Sequence, residues 1–374
     1  FTTKDGLYTI MIGDLSSSSA GKSLRLADFR VKPNYPEIEF SRKYKEQHDR
    51  YDLDFREIVL ANIDIYQLNA ERRLSASSLV INGADVDIFM NRSMPPVSFD
   101  KGRNYPHVVI RRLRLPTSID SLLIKNTRIS YSEYNPGSQK KGTVTFNRFN
   151  AVLKNVTNDS LRLKKNPWMR ASVTAWLLNK GKMNVNINMH LTDPNAVFNF
   201  NGTMGSMDMR ELNVLSRNMS LAEIESGTIN RAIFDVRGNL RTTSGTLKLY
   251  YTNLKVNVLK KDEDSDTLKK RGLISTIANT LVIHNDNPGK NGELRVGKTV
   301  AERLDSGSFF NLMWKSIFSG LKESVGFTLG KPETQVTPLN KKEQRQLRRE
   351  KRQKERQEKR AAKENVEEAQ KKRN

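Results

Sequence analysis

From Gly6 to about Val258 the chain alternates apolar and polar residues with a period of two. Leu7-Tyr-Thr-Ile-Met-Ile12, Leu24-Arg-Leu26, Phe29-Arg-Val31, Tyr51-Asp-Leu-Asp-Phe55 and Met183-Asn-Val-Asn-Ile-Asn-Met189 all follow it. Successive side chains of a strand leave opposite faces, so this pattern writes one apolar face and one wet face. It predicts a mainly β fold of antiparallel strands with one solvated side and few helices. Only 36% of the 374 residues are hydrophobic and 28% are charged. That is poor for a compact globule of this length but sufficient for an elongated sheet.

Within the alternation a spacing of five recurs. Ile81-Asn-Gly-Ala-Asp-Val86 continues to Ile88, Ile124-Lys-Asn-Thr-Arg-Ile129 continues to Tyr131, and Ile58 to Ile63 continues to Ile65. Ile224-Glu-Ser-Gly-Thr-Ile229 keeps the same step. Aligning SLVINGADVDIF with SLLIKNTRISY takes a one-residue gap. These stretches predict a repeated unit whose copies build one continuous sheet. Asn82-Gly83, lying between an apolar and an alternating run, predicts a tight hairpin inside the unit. Asp85 and Asp87 alternate with Val86 and Ile88 and are expected on the wet face.

The period changes at a few places. Met209 to Leu221 is the best early helix candidate, with Leu212, Leu215 and Met219 near one face. After Lys260 a charged stretch (260–266) precedes Leu268 to Val282, where Leu273, Ile274, Ile277, Ala278 and Leu281 recur at helical steps, and a short strand follows at 281–284. Between 308 and 325, Phe310, Met313, Trp314, Ile317, Leu321 and Val325 make a broad apolar stripe that Ser308 or Asp305 can cap. Two readings of this helix stand open. It packs on a sheet end, or it lies in a membrane interface with Phe309, Phe310, Met313, Trp314, Ile317, Phe318 and Leu321 toward the lipid and Lys315 and Lys322 near headgroups. Three parts result: a β domain over 1–260, a helix and strand cap over 261–330, and a tail over 331–374. The segment from Lys341 carries 15 Lys/Arg against 7 Glu. It is expected as a solvated helix or as disordered chain.

The residues offer no catalytic set. His48, His107, His190 and His284 lie far apart, with no HExxH pair, so neither a metal nor a cofactor is expected. Ser16 to Ser23 (SSSSAGKS) ends like a phosphate loop, but Ser16 stands where the first glycine belongs and a strand follows instead of a helix. There are no cysteines, which excludes thiolate nucleophiles, thiolate zinc sites and disulfides. The net charge of +23 favours an anionic partner, either a membrane surface or a nucleic acid. The tail lacks aromatics for base stacking, which disfavours nucleic acid. No run of 18 apolar residues occurs. The chain starts at Phe1 rather than Met, from which a removed upstream signal or anchor is expected.

Three ordered blocks carry a family resemblance. The first is the serial motif LVINGADVDIF, LLIKNTRISY and IESGTINRAIFDVRG. The second runs from Met219 to Val258 with Gly227, Gly238 and Gly245 and closes on LKLYYTNLKVNVL. The third is IANTLVIHNDNPG followed by RVGKTVAERLDSGSFFNLMWKSIFSGLKESVG. To about Gly330 the chain resembles the AsmA-like envelope proteins, related to TamB, of Bacteroidota-type bacteria. The resemblance implies a long, twisted, half-open sheet, a half-barrel with an apolar groove. It further implies a periplasmic location, an inner-membrane tether, and a role in moving phospholipid toward the outer membrane or in outer-membrane assembly. On that reading Ile58, Ile63, Ile65, Ile81, Val86 and Ile88 would line the groove, with Ile124, Ile129, Tyr131, Ile224 and Ile229. A purely structural envelope scaffold and a basic nucleic-acid binder are the rival readings.

Overall fold

The computed structural model describes residues 1–219, 222–261, 268–270 and 283–326. The chain divides into two compact units, Phe1–Thr276 with Leu281–Thr328, and Ile277–Thr280 with Leu329–Asn374. Every described residue belongs to the first. The basic tail, the charged stretch from 262 and the expected helix beyond 270 lie outside the described residues.

The first half holds β1 (Tyr8–Met11), β2 (Asp14–Ser18), β3 (Ser23–Pro33), α1 (Glu37–Tyr44), β4 (Arg50–Ala61), α2 (Ile65–Ala70), β5 (Leu74–Asn91), α3 (Pro106–Arg111), β6 (Thr117–Asn135) and β7 (Lys140–Thr157). Then come α4 (Ser160–Lys165), β8 (Trp168–Leu177), β9 (Gly181–His190), β10 (Phe198–Met204), β11 (Met207–Asp208), α5 (Asn213–Met219), β12 (Ala222–Gly238) and β13 (Thr242–Lys261). The last are β14 (Leu268–Lys270), β15 (Val296–Lys298), β16 (Ala301–Glu302) and α6 (Phe309–Ser324). The strands form one large twisted sheet that is not closed into a barrel, in the order β1-β3-β4-β5-β6-β7-β8-β9-β10-β12-β13-β14.

The sheet is mixed rather than wholly antiparallel, because β5 and β6 run parallel. A parallel neighbour needs a crossover as long as the strand. Residues 92–116 supply it, carrying a 3-10 turn (Lys101–Asn104) and α3. The period-two reading could not register this, since alternation is the same in either direction.

Asn82-Gly83 does not make a hairpin. Both residues sit inside the 18-residue β5, where Asn82 lies opposite Glu57. A type I′ turn needs two positive φ angles, and only Gly83 has one, at 70°. The tight hairpin falls instead at SSSSAGKS, where Ser18 pairs with Ser23 and β3 follows.

The five-residue spacing has a physical cause. Leu26, Ile58, Ile81, Ile124 and Ala151 form one row across β3 to β7. Val31, Leu53, Val86, Ile129 and Phe146 form another, five residues away on every strand. An odd step would put the two rows on opposite faces of a regular strand. On β3, β5, β6 and β7 a left-handed residue lies between them, Asp28 (φ 49°), Gly83 (70°), Asn126 (50°) and Arg148 (47°), while β4 shifts without one. Each resets the alternation by one residue, as a bulge does.

The sheet curls. α5 lies against both β7 and β12, which β8, β9 and β10 separate. A helix about 10 Å wide touches both only on a concave face. The predicted helix at 209–221 is thus shorter than expected, being α5 preceded by a 3-10 turn at Met209–Leu212. After 260 the described residues differ from expectation at two places. Leu268–Lys270 is a strand paired with β13, and Ile283 and His284 lie outside any strand.

Candidate functional site

The inner face changes character along the sheet. Over β8 to β13 it is a packed core. Met189, Phe198, Phe200, Phe234, Leu247, Leu249 and Tyr251 are buried there together with Tyr105 and Val108 of the crossover and Phe309 and Leu312 of α6. Over β3 to β6 the same face is only half-buried. Leu26, Ile58, Ile81 and Ile124 are partly exposed, as are Val31, Leu53, Val86, Ile129, Ile88 and Tyr131. Phe29 and Phe55 stack between the two rows with ring centroids 5.8 Å apart. Four strands at about 4.8 Å per step make this apolar strip about 14 Å wide.

Most of the predicted lining residues meet on this strip. Ile81 stands beside Ile124, Val86 beside Ile129 and Ile88 beside Tyr131, in register and without a gap. The two copies of the repeated unit are therefore neighbours in space, and the gapped alignment is corrected. Four predicted residues fall elsewhere. Ile63 follows the end of β4 and is buried in a separate cluster with Ala76 and Ile119. Ile65 opens α2 and is exposed. Ile229 is buried in the packed core against Tyr251 and Met207. Ile224 packs on that core from beside Val256. The spacing of five identified strands whose alternation shifts but carried no information on which parts of the face helices cover.

The strip ends in a polar group. The Tyr131 hydroxyl donates to Glu133 Oε2 at 3.1 Å, and Arg92 pairs with Glu133 at 3.0 Å. Burial and the adjacent Glu133 carboxylate push the Tyr131 phenol far above its ordinary range. The ring therefore stays neutral as part of the apolar wall.

The crossover is clamped across the inner side. The buried Arg303 side chain donates from Nη2 to Asp100 Oδ1 at 2.6 Å and from Nε to the Leu240 carbonyl at 2.6 Å. Its Nη1 reaches the carbonyls of Leu304, Asp305 and Gly307, and its guanidinium lies over the Tyr105 ring. On the other side Lys101 faces Asp49 at 3.7 Å. His107 is buried with Nε2 at 3.0 Å from the Ala196 carbonyl, and its Nδ1 has no partner among the described residues. Apart from His107, none of these positions stood out in the sequence, because a single Arg, Lys or Asp outside a motif carries no periodicity.

The outer face is largely polar, broken by the row Val59, Val80, Leu123 and Val152, and has two shallow troughs. One of about 420 Å³ lies among Arg30, Lys32, Asp52, Asp54, Asp85 and Asp87. Asp52 faces Asp87 and Asp54 faces Asp85 across the strands. Lys32 at 2.7 Å from Asp52, Arg30 at 3.3 Å from Asp54, and Arg128 at 2.7 Å from Asp87 offset the like charges. This is the wet side expected for Asp85 and Asp87. The second trough, about 500 Å³, crosses β6 to β9 and is less polar, lying between a row with Leu123, Val152, Ser172 and Asn186 and one with Lys125, Asn150, Thr174 and Asn184.

α6 separates the predicted interface residues. Ser308 caps it, accepting from the Asn311 N–H at 3.2 Å. Phe309 is buried, and Met313, Ile317 and Leu321 pack on the core, so these four do not face outward. Phe310, Trp314 and Phe318 do. Sequence reading missed the seam that seats the helix, made of Leu312, Ser316, Gly320 and Ser324. A Cβ on Gly320 would sit 2.8 Å from Thr299 Cγ2 and 2.9 Å from Leu247 Cβ. The three small residues at four-residue steps were its only signal.

The other histidines are structurally engaged, with His48 stacked on Tyr44 and His190 Nδ1 accepting from the Asp193 N–H at 3.0 Å. Among the described residues no three His, Cys, Asp or Glu side chains group as metal ligands. No described helix is long and apolar enough to cross a membrane. No family model matches the chain, and no curated protein matches it.

Proposed function

We propose that this is a membrane-associated, non-enzymatic β-groove protein that binds or transfers phospholipid in the assembly of a bacterial envelope, acting in the periplasm. The half-buried strip across β3 to β6 carries the reading. A continuous apolar face of that width offers an acyl chain the dry contact it needs, with no placed catalytic group required. The ordered motifs shared with AsmA-like proteins support the envelope setting. The paired charges of the outer face keep the opposite side wet, which suits a carrier exposed to water on one side.

A structural scaffold is the second reading, favoured by the full burial of the same face over β8 to β13. Mass spectrometry of organic extracts from the purified chain tests between them. The carrier predicts co-purifying phospholipid and uptake of a fluorescent phospholipid that saturates with protein. Lipid-free protein that also takes up no labelled lipid rules the carrier out.

A further inference from the structure

The outer side of α6 presents an aromatic stripe at four-residue steps. Phe310 is 66% exposed, Trp314 45% and Phe318 38%. The Trp314 and Phe318 rings stack with centroids 6.1 Å apart, and Lys322 Nζ lies 5.2 Å over Phe318. Leu304, in the turn that leads into the helix, is exposed as well. Large aromatics left in water on one line mark a contact surface rather than scattered exposure. The seam of Leu312, Ser316, Gly320 and Ser324 holds the helix on the sheet, so the stripe is fixed in orientation before any partner arrives.

The charges select the partner. Lys315 and Lys322 are exposed and have no carboxylate within ion-pair distance among the described residues. The nearest acid in sequence, Glu323, is engaged instead, accepting from the Lys298 N–H at 2.6 Å. A symmetric dimer through this stripe would set the lysines of one copy against those of the other. An anionic bilayer complements them, and Trp and Phe rings settle at the level of its headgroups.

We propose that Phe310, Trp314 and Phe318 insert into the headgroup region of an anionic membrane, with Lys315 and Lys322 on its phosphates. This deepens the lipid-binding reading by naming the surface at which the protein works, and it stands on residues separate from the strip.

The chain has three tryptophans, so W168F/W176F leaves Trp314 as a local reporter in the full chain. Vesicles of equimolar phosphatidylcholine and phosphatidylglycerol are expected to shift its emission to the blue, and brominated lipid to quench it. In the wild-type background, F310S/W314S/F318S is expected to lower vesicle binding about tenfold or more, with an unchanged circular dichroism spectrum. K315E/K322E should bind more weakly and lose salt dependence. I81S/I124S should float with vesicles like wild type even if it takes up no lipid, which separates failure of the strip from failure of the stripe. An unshifted Trp314 emission overturns the proposal. So does undiminished flotation of the triple variant, which would assign binding to the basic tail, or a monomer–dimer equilibrium abolished by that variant.

Discussion

If the strip is open to a ligand, its residues and those of the packed core must differ in what they contribute to stability. Phe200 and Ile81 point to the same face, but Phe200 is 1% exposed and Ile81 is half-buried. Phe200→Ala removes a ring from among Phe198, Phe234 and their neighbours, which costs about 3–5 kcal/mol. Ile81→Ser strips about three carbon groups worth about 0.8 kcal/mol each when fully buried, so roughly 1 kcal/mol at half burial. Urea unfolding followed by circular dichroism reads both, and an unchanged slope shows that stability alone moved. The expected result is a large loss of midpoint for Phe200→Ala, a small one for Ile81→Ser, and lipid uptake reduced only in the second. Equal losses would refute the reasoning, since Ile81 would then be packed as tightly by the chain itself as Phe200 is.

Four further outcomes follow from other parts of the structure. Gly83→Asn should cost clearly less than Gly83→Val, which costs about 1–2 kcal/mol or more in thermal or urea unfolding, because Asn tolerates φ 70° better than a β-branched residue and the Arg56 side chain 3.3 Å from a Cβ there can give way. Arg303→Met removes one donor from Asp100 and from four carbonyls, although Asp100 keeps Arg241 and the Gly102 N–H and the Leu240, Leu304 and Asp305 carbonyls keep one donor each. With Asp100 partly exposed the loss should be about 2–3 kcal/mol, read together with faster proteolysis within 92–116. Burial holds the His107 pKa below its ordinary value, so the unfolded chain binds the proton first as pH falls. Stability should therefore be lost on acidification below about pH 6.5, and His107→Gln should flatten that part of the profile. Gly320→Val should overpack the α6 seam and cost about 1–3 kcal/mol, visible as loss of near-ultraviolet circular dichroism with strand content retained.

The period of two made the strands and the wet face legible, because alternation is a direct record of which side chains meet water. Asp85 and Asp87 lie where it placed them. Strand direction was not legible, and the parallel pairing of β5 with β6 emerged only with the crossover. Nor was the division of the inner face. Val86 and Ile229 occupy equivalent places in similar motifs, yet one lies on the half-open strip and the other is buried. Their difference comes from residues distant in sequence: the crossover with Tyr105, and α6 with Phe309 and Leu312, cover the β8 to β13 end. In α6 the hydrophobic stripe was visible, but its seating depends on Ser316, Gly320 and Ser324, whose small size matters only against Leu247 and Thr299.

The left-handed residues connect the local pattern to the strip itself. A strand of 18 or 19 residues extends about 60 Å and twists continuously, so a strict alternation along β5 and β6 has to be adjusted wherever the sheet bends. A bend achieved by one extra residue normally transfers every later side chain to the opposite face. Here the sequence shifts in step. Leu79 and Ile81 precede Gly83, and Ala84, Val86 and Ile88 follow it; Leu122 and Ile124 precede Asn126, and Thr127, Ile129 and Tyr131 follow it. The odd spacing and the positive φ cancel, leaving the apolar rows in line across the bend. On β5 and β6 the odd spacing without the left-handed residue would place isoleucines toward the face that carries Asp52, Asp54, Asp85 and Asp87. The continuous strip is thus a consequence of two departures from regular β structure occurring together on neighbouring strands.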